Sequence, residues 1–201
     1  MVVDGVYYAL AFAAAGGVIG YLTNAAFGIP LYILGLFSLY FFRDPEREIP
    51  AGPVAVSPAD GKVVSVKNFS PGSTRISIFL NIFDVHVNRS PIGGVISKVN
   101  YQKGRFRVAS REVASAENEQ NTVTVTGEDT SVIFSQIAGL IARRIVFHKK
   151  PGDTVEKGER VGLIKFGSRV DVFFGPDWDV TVRQGERVAC GSSIIAKRKQ
   201  D

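Results

Sequence analysis

The sequence predicts a mostly β soluble domain, of barrel or sandwich type, behind an N-terminal hydrophobic helical hairpin. Three observations support this fold class. Residues 5–42 contain no charged side chain. From Val54 onwards, short Val/Ile/Phe runs with period-two alternation are separated by glycines, which is typical of strands. The pattern V-x-x-G-E-R-V occurs twice, at 155–161 and at 182–188, and predicts two quasi-equivalent, lipoyl-like hairpin corners.

The uncharged N-terminal run is too long for a cleaved signal peptide. It is also too long for one helix, since a membrane span needs about 20 apolar residues. The run has a natural break at Thr23-Asn24 and a second weak point at Gly28-Ile29-Pro30. We therefore expect two short helices, at 5–22 and 29–42, joined by a tight turn. A hairpin that spans the bilayer and one that inserts shallowly both stay open, and the length of the run favours spanning.

Charge begins abruptly at Arg43, and the prolines from Pro45 to Pro53 forbid a continuing helix. The sequence thus predicts a membrane-anchoring hairpin at 1–43 and a separate soluble domain at 44–201. The formal net charge of +5 suits an acidic partner, and the hydrophobic run favours a membrane over nucleic acid. Because basic residues follow this run, we expect the soluble domain on the cytoplasmic side of the cell membrane.

Eight strands are predicted in the soluble domain. They cover residues 62–67, 75–82, 93–101, 121–126, 130–137, 142–148, 161–166 and 169–174. Residues 107–121 are polar and are interpreted as a loop with at most one helical turn. Residues 137–145 fit either a short helix or an irregular strand. Cys190 is the only cysteine, which excludes an internal disulfide and a cysteine-based metal cluster.

Gly167 and Ser168 lie between the two copies of the repeat, flanked by β-like runs. A Gly-Ser pair is by itself usually a turn. The segment resembles a lipoyl or biotinyl carrier hairpin, but Ser168 takes the place of the exposed carrier lysine, and Lys165 would lie inside the incoming strand. A carrier is therefore disfavoured. A second pair, Gly191-Ser192, is disfavoured as the reactive one because it precedes an expected closing strand.

The Ser168 hydroxyl can attack the preceding carbonyl and convert the Gly167–Ser168 amide into an ester, since glycine leaves that carbonyl unshielded and permits a strained backbone. Elimination then frees the first segment, and hydrolysis of the remaining dehydroalanine gives a pyruvoyl group. Such a group can form a Schiff base with a substrate amine and withdraw electrons during α-decarboxylation, as pyridoxal phosphate does. The attack needs a base that a third group orients.

The chain offers two histidines as that base, His86 and His148. His86 lies near a strand end in D-V-H-V-N-R-S-P, whereas His148 precedes two lysines and is interpreted as structural or surface. Asp60, in the turn S-P-A-D-G-K, is the candidate for the orienting group. Each signal is weak alone, because a lone histidine is usually a satisfied core or surface group and Asp-Gly is usually a turn.

Six motifs, in order along the whole chain, resemble the short form of the phosphatidylserine decarboxylase proenzymes, with archaetidylserine decarboxylase-like members included. They are F-F-R-D-P-E-R (41–47), S-P-A-D-G-K (57–62), D-V-H-V-N-R-S-P (84–91), E-N-E-Q-N (117–121), Q-I-A-G-L-I-A-R-R-I (136–145) and F-G-S-R-V-D-V (166–172). By this resemblance, Gly167–Ser168 is the cleavage bond. Asp60 and His86 then correspond to the acid and base of an Asp-His-Ser self-cleavage triad.

The resemblance implies a pyruvoyl-dependent phospholipid carboxy-lyase, made as a zymogen and cleaved into residues 1–167 and 168–201. The two products form a heterodimer, whose further oligomerisation stays open. The implied cofactor is pyruvate derived from Ser168, without a metal. The implied substrate is a serine-headgroup phospholipid in a membrane, with a diacyl or archaeal ether backbone. A non-enzymatic, membrane-anchored lipoyl-like adaptor is the rival hypothesis, and it leaves Asp60, His86 and Ser168 unexplained.

Arginine side chains are candidate substrate contacts, because they suit a phosphate and a carboxylate. Arg89 is chosen from this set, and Asn118 is chosen from the E-N-E-Q-N motif by the resemblance alone. Arg89 stands where some family members carry a second histidine, so a division of labour between two histidines does not transfer to this chain. The other candidates are Arg105, Arg107, Arg143 and Arg144.

Overall fold

The chain divides into two compact units, Met1–Glu46 and Arg47–Asp201. The division falls in the proline-containing segment that follows the hydrophobic run. The structure, a computed structural model, describes residues 3–69, 72–105, 117–139, 144–165 and 168–199.

The first unit is a pair of helices, α1 (Val3–Leu22) and α2 (Ala25–Phe41). Asn24 caps α2, since its side-chain oxygen accepts a hydrogen bond from the Ala26 N–H at 3.0 Å. The predicted turn between the helices is confirmed. The predicted start of the second helix, residue 29, is wrong, because this cap starts the helix four residues earlier.

Small residues let the two helices approach each other closely. A Cβ added to Gly28 would lie 2.6 Å from the Gly16 carbonyl oxygen, so a larger residue does not fit at this contact. Many other side chains on both helices are apolar and exposed. Among the described residues, α1 is the one helix long and apolar enough to cross a bilayer, and α2 is shorter. These features are consistent with association with a membrane.

The second unit is built of short strands, as predicted. They are β1 (Val54–Val56), β2 (Gly61–Phe69), β3 (Ser73–Leu80), β4 (Val87–Arg89), β5 (Gly94–Gln102), β6 (Gln120–Thr126), β7 (Ser131–Ala138), β8 (Arg144–Phe147), β9 (Thr154–Val155), β10 (Arg160–Lys165), β11 (Ser168–Phe174), β12 (Trp178–Val180), β13 (Arg187–Val188) and β14 (Ile194–Arg198). Their described pairings are antiparallel.

The strands form one large sheet and two small ones. The large sheet has eight strands in the order β13-β2-β3-β11-β7-β6-β5-β9, and the small sheets have the orders β1-β14-β12 and β4-β10-β8. The large sheet curls into half a barrel, and its inward side chains, such as Val123 and Phe134, are fully buried. Strand β11 lies inside this sheet, with β3 along one edge and β7 along the other.

All eight predicted strands are present, with ends within two residues of those expected. Six strands were missed, β1, β4, β9, β12, β13 and β14, because runs of two to five residues are too short to reveal a period of two. Most of the predicted polar loop at 107–121 lies outside the described residues. So does the part of the ambiguous 137–145 segment at 140–143.

The two copies of the repeat make equivalent corners, as the pattern predicts. Their glycines, Gly158 and Gly185, have positive φ angles of 78° and 98°. Each glycine N–H donates to a backbone carbonyl, that of Ser90 for the first copy and Val63 for the second. The N–H of the same partner donates back to the carbonyl of the glutamate after the glycine. Each corner is therefore docked by a reciprocal pair of backbone hydrogen bonds.

Replacing either corner glycine with alanine should destabilise the second unit, and Gly158→Ala should cost more than Gly185→Ala. Both substitutions place a side chain at positive φ, which costs about 1–2 kcal/mol. Only at Gly158 would the added Cβ also clash, at 2.4 Å from Ile49 Cδ1, whereas nothing lies within 4 Å at Gly185. Urea unfolding followed by the fluorescence of Trp178, the only tryptophan, measures the loss.

The control for this comparison is the Ile49→Ala background. There the difference between the two glycine variants should shrink, because the clashing side chain is gone. Equal losses in the parent background would contradict the packing described for the first corner.

Candidate active site

Ser168 is the first residue of β11 and lies in the interior of the second unit. Its backbone pairs with Leu80 on β3 and with Ala138 on β7, and the residue is 0% exposed. Among the described residues its Oγ has no hydrogen-bond partner. An unsatisfied buried hydroxyl costs about 1–3 kcal/mol, so it calls for a chemical explanation. Gly167, on the other side of the predicted cleavage bond, lies outside the described residues.

His86 ends the connection between β3 and β4, which consists of residues 81–86, and it is also buried. Its Nδ1 lies 2.9 Å from the Asp84 carbonyl oxygen. Because a carbonyl oxygen only accepts, this contact assigns the proton to Nδ1 and leaves Nε2 as the basic nitrogen. An imidazole in this tautomer can take a proton from a hydroxyl group.

Backbone contacts bring the His86 segment to the Ser168 segment. Leu80, immediately before the connection, pairs with Ser168. At the end of the connection, the His86 carbonyl accepts a hydrogen bond from the Ile164 N–H at 3.2 Å. The connection is thus tied to the chain on both sides of residues 166–167. The predicted base and the predicted nucleophile therefore lie in one neighbourhood of the core.

Asp60 is held by other partners. Its carboxylate accepts hydrogen bonds from Arg47 Nη2 at 3.0 and 3.2 Å and from the Cys190 N–H at 2.6 Å. Since the His86 Nδ1 contacts a backbone carbonyl, the described contacts do not include a direct Asp60–His86 hydrogen bond. The assignment of Asp60 as the triad acid stays a prediction.

Cys190, the residue whose N–H binds Asp60, carries a thiol that is closed to solvent. Burial raises the pKa of this thiol far above its usual value, and the negative charge of Asp60 raises the pKa further. The Sγ atom lies 3.4 Å from the Val87 carbonyl oxygen, to which it donates. The thiol therefore stays protonated at neutral pH and is not a competing nucleophile.

Three buried carboxamide side chains connect the strands around the site. Asn121 Nδ2 donates to Gln136 Oε1 at 3.2 Å, and Gln136 Nε2 donates to Asn88 Oδ1 at 2.9 Å. Asn88 Nδ2 then donates to the Pro58 carbonyl oxygen at 3.2 Å. Because this last acceptor cannot donate, the orientation of all three amides is fixed. The amide chain joins β6 and β7 to β4 and to the turn before β2.

This amide chain was not predicted from the sequence, although a signal for it was available. Asn121 lies two residues before Val123, and Gln136 lies two residues after Phe134, so both amides occupy inward positions of amphipathic strands. Buried polar groups are nearly always hydrogen-bonded. An amide at an inward position therefore predicts a partner in the core.

The two chosen substrate contacts are both buried and bind backbone carbonyls. Arg89 Nη1 donates to the Gly158 carbonyl at 3.0 Å. Asn118 Nδ2 donates to the carbonyl of Ala138, the residue that pairs with Ser168, at 2.7 Å. These contacts place both side chains at the edge of the core. Their role in binding substrate stays a prediction.

The remaining candidates lie elsewhere. Arg105 and Arg144 are exposed, whereas Arg107 and Arg143 lie outside the described residues. His148 is exposed just after β8. Gly191, in the disfavoured Gly-Ser pair, has φ of 79° in the turn before β14, which pairs with β1 and β12 as a closing strand. Within the described residues, no group of three or more His, Cys, Asp or Glu side chains could hold a metal ion.

The fold and site define a class of protein, a β domain that buries a serine and a histidine in its core. A carrier domain, by contrast, exposes the side chain to which its prosthetic group is attached. A sequence profile described as phosphatidylserine decarboxylase matches residues 34–196. This chain belongs to the phosphatidylserine decarboxylase family.

Individual relatives cover almost the whole chain. A phosphatidylserine decarboxylase proenzyme of Solibacter usitatus is 66% identical over 198 residues, which are 98% of this chain and 97% of the relative. Proteins of the same name from Amoebophilus asiaticus and Cupriavidus taiwanensis are 47% and 43% identical, over 87% and 92% of this chain and 81% and 92% of their own lengths. Nothing in these similarities supports the adaptor hypothesis.

Gln136→Glu should destabilise the second unit by about 3 kcal/mol at neutral pH, because it removes the donor to Asn88 and buries a charge. Burial raises the pKa of the introduced carboxyl above its unfolded value, so the loss should grow as pH rises and fade in acid, where the protonated group donates again. Urea midpoints across pH, compared with those of the parent, measure this. The matched control is Gln120→Glu on β6, whose half-buried amide binds Gln102, and a similar loss there would contradict a special role for the amide chain.

Proposed function

We propose that this chain is made as an inactive precursor, cleaves itself at Gly167–Ser168, and then decarboxylates phosphatidylserine to phosphatidylethanolamine. One observation carries the proposal. The buried Ser168 hydroxyl begins an interior strand and has no hydrogen-bond partner among the described residues. Membership of the family and the proenzyme names of the relatives support the same conclusion.

The first step exchanges an amide for an ester. Ser168 Oγ attacks the Gly167 carbonyl carbon, while His86 Nε2 takes the hydroxyl proton and returns it to the departing amide nitrogen. The C–N bond breaks and a C–O bond replaces it. Removal of the Ser168 α-proton then expels the Gly167 carboxylate. Hydrolysis of the remaining dehydroalanine releases ammonia and leaves a pyruvoyl group at residue 168.

The residues around position 168 fit such a group. The backbone there is paired on both edges, and the next residue, Arg169, is 1% exposed. Arg169 donates from Nε to Asp171 Oδ1 and from Nη2 to Ser77 Oγ, each at 2.6 Å. These contacts hold the new chain end after the peptide bond is broken. The bound group supplies a carbonyl that takes up the substrate amine and accepts the electron pair released with CO₂.

The precursor is closed to its substrate. Ser168 and His86 are both buried before cleavage, so the described residues leave neither side chain open to a phospholipid headgroup. Breaking the bond after Gly167 separates two chain ends beside this residue. We therefore assign the opening of the site to the cleavage itself, which explains why the uncleaved chain is inactive.

The proposed substrate lies in a membrane, and the first unit is suited to hold the enzyme there. Helix α1 is long and apolar enough to span a bilayer, and the charged segment that follows the hairpin contains Arg43 and Arg47 along with Asp44, Glu46 and Glu48. Only the Lys and Arg residues count for the positive-inside rule. By the positive-inside rule these charges favour the cytoplasmic side for the catalytic domain. The two cleavage products remain associated because β11 stays paired within the large sheet.

The parent protein should separate on denaturation into chains of residues 1–167 and 168–201, and the smaller chain should have a blocked N-terminus. Ser168→Ala removes the nucleophile and should give one chain of 21.8 kDa by intact mass. His86→Ala should block or greatly slow cleavage, because the hydroxyl loses its base. His148→Ala is the matched control and should process normally. A Ser168→Ala chain that still splits at this bond would exclude the serine mechanism.

Asp60→Asn should slow self-cleavage by about tenfold or more, since a neutral amide cannot stabilise a developing imidazolium. The matched variant is Arg47→Gln, which removes the ion pair and leaves the Asp60 charge in place. We expect Arg47→Gln to be slowed less, as measured by the rate of appearance of the smaller chain. Equal slowing of the two variants would show that Asp60 acts only through the fold.

A further inference from the structure

The connection between β3 and β4 presents two apolar side chains to solvent. Asn81 and Asp84 close it as a turn, since the Asn81 N–H donates to Asp84 Oδ2 at 2.9 Å and the Asp84 N–H donates to the Asn81 carbonyl at 3.0 Å. The Phe83 N–H also donates to Asn81 Oδ1 at 2.8 Å. Ile82 and Phe83, here called the apolar tip, are 38% and 60% exposed. The hydrogen bonds close the backbone of this turn, and within it the Phe83 side chain is more exposed than that of Ile82.

The apolar tip stands at the end of the large sheet where the candidate site lies. Leu80, two residues before Ile82, pairs with Ser168, and His86 follows Phe83 by three residues. Any surface that binds the apolar tip therefore lies close to Ser168 and His86.

Basic side chains surround the tip. Lys62 pairs with Phe79 on one side of it, and Arg187 pairs with Lys62 and forms an ion pair with Asp84 in the turn. On the other side, Lys165 ends β10 three residues before Ser168. The basic rim consists of Lys62, Arg144, Lys165 and Arg187, of which Lys165 is half-buried and the others are exposed. Among the described residues, the acids on the neighbouring elements include Asp84, which is paired with Arg187, Asp60, which is paired with Arg47, the exposed Glu186 and the half-buried Glu119.

We propose that the apolar tip and the basic rim form a docking surface for an anionic lipid bilayer, which seats the site at the level of the headgroups. The inference rests on the proposed function and specifies how its substrate is reached. Single exposed apolar residues are ordinary. Two consecutive ones in a closed turn, with cations on both sides, combine the apolar area and the positive charge on which binding to an anionic interface depends. The cations suit the negative surface potential of such a bilayer.

Phe69 provides a matched control at the other end of the same sheet. It is 45% exposed and pairs with Ser73 at the start of β3. Leu80 lies seven residues along this strand from Ser73, which is about 23 Å at the usual rise per residue. A surface that docks the apolar tip therefore does not need to touch Phe69.

A fluorescence experiment tests the contact directly. The full-length chain, reconstituted in vesicles of phosphatidylcholine and phosphatidylglycerol, carries a thiol-reactive fluorophore at Phe83→Cys or at Phe69→Cys. The native Cys190 is 1% exposed and does not compete for the label. Lipids with a nitroxide in the acyl chain should quench the label at position 83 severalfold more than the label at position 69. Equal quenching overturns the proposal. The proposal is also overturned if, in detergent without vesicles, the fluorescence of the label at position 83 changes with protein concentration. That result would indicate that a second copy of the chain covers the tip.

A kinetic experiment tests the consequence. The double variant Ile82→Ser/Phe83→Ser should lower the ratio of kcat/KM on vesicles to kcat/KM on a soluble short-chain substrate by about tenfold, since two apolar side chains no longer enter the interface. Phe69→Ser should leave this ratio unchanged. An unchanged ratio in the double variant overturns the docking surface. A parent protein that decarboxylates neither substrate overturns the proposed function instead, while the quenching result is still informative.

Discussion

Strand β11 is paired along both of its edges, and this constraint governs the position of the groups around Ser168. A strand with β3 on one side and β7 on the other cannot shift without breaking two hydrogen-bond ladders. The pairing therefore holds Ser168 at a fixed place in the core, and it does not depend on the peptide bond at which cleavage is proposed. Arg169, buried and bound to Asp171 and Ser77, fixes the same point through its side chain.

Burying polar groups in this core lowers the stability of the fold relative to a core of apolar side chains alone. Buried amides and ion pairs lose their hydration, and they are tolerated only when each donor and acceptor is satisfied. The chain from Asn121 through Gln136 to Asn88 meets this condition because it ends on the Pro58 carbonyl. It gives a single orientation to side chains on three separate strands or turns. Strand β4 directly follows His86. The amide chain holds this strand in a fixed position relative to β7, which pairs with β11 at Ser168.

The sequence predicted the long strands for a definite reason. An amphipathic strand of six or more residues repeats its alternation several times, whereas two-residue strands such as β9 and β13 exist only because a neighbour pairs with them. The choice of Ser168 came from the chemistry open to a Gly-Ser pair and from the family resemblance, and its role stays a prediction. The partner of Asp60 was not found, since Arg47 reaches it from the linker and no local pattern relates the two residues. The start of α2 was missed because one cap, Asn24, outweighed the proline that follows it.

Self-cleavage and lipid decarboxylation place opposite demands on one residue. Attack on the neighbouring carbonyl is favoured in a closed core, where the serine and its base are held in place and water cannot compete. Decarboxylation needs the same position open to a headgroup that stays anchored in a bilayer. A protein with a rigid site cannot meet both demands in one covalent state. The proposed cleavage directly before β11 would resolve the conflict, because it would create the carbonyl at a new chain end, while the ladders on both edges of β11 keep residue 168 in place.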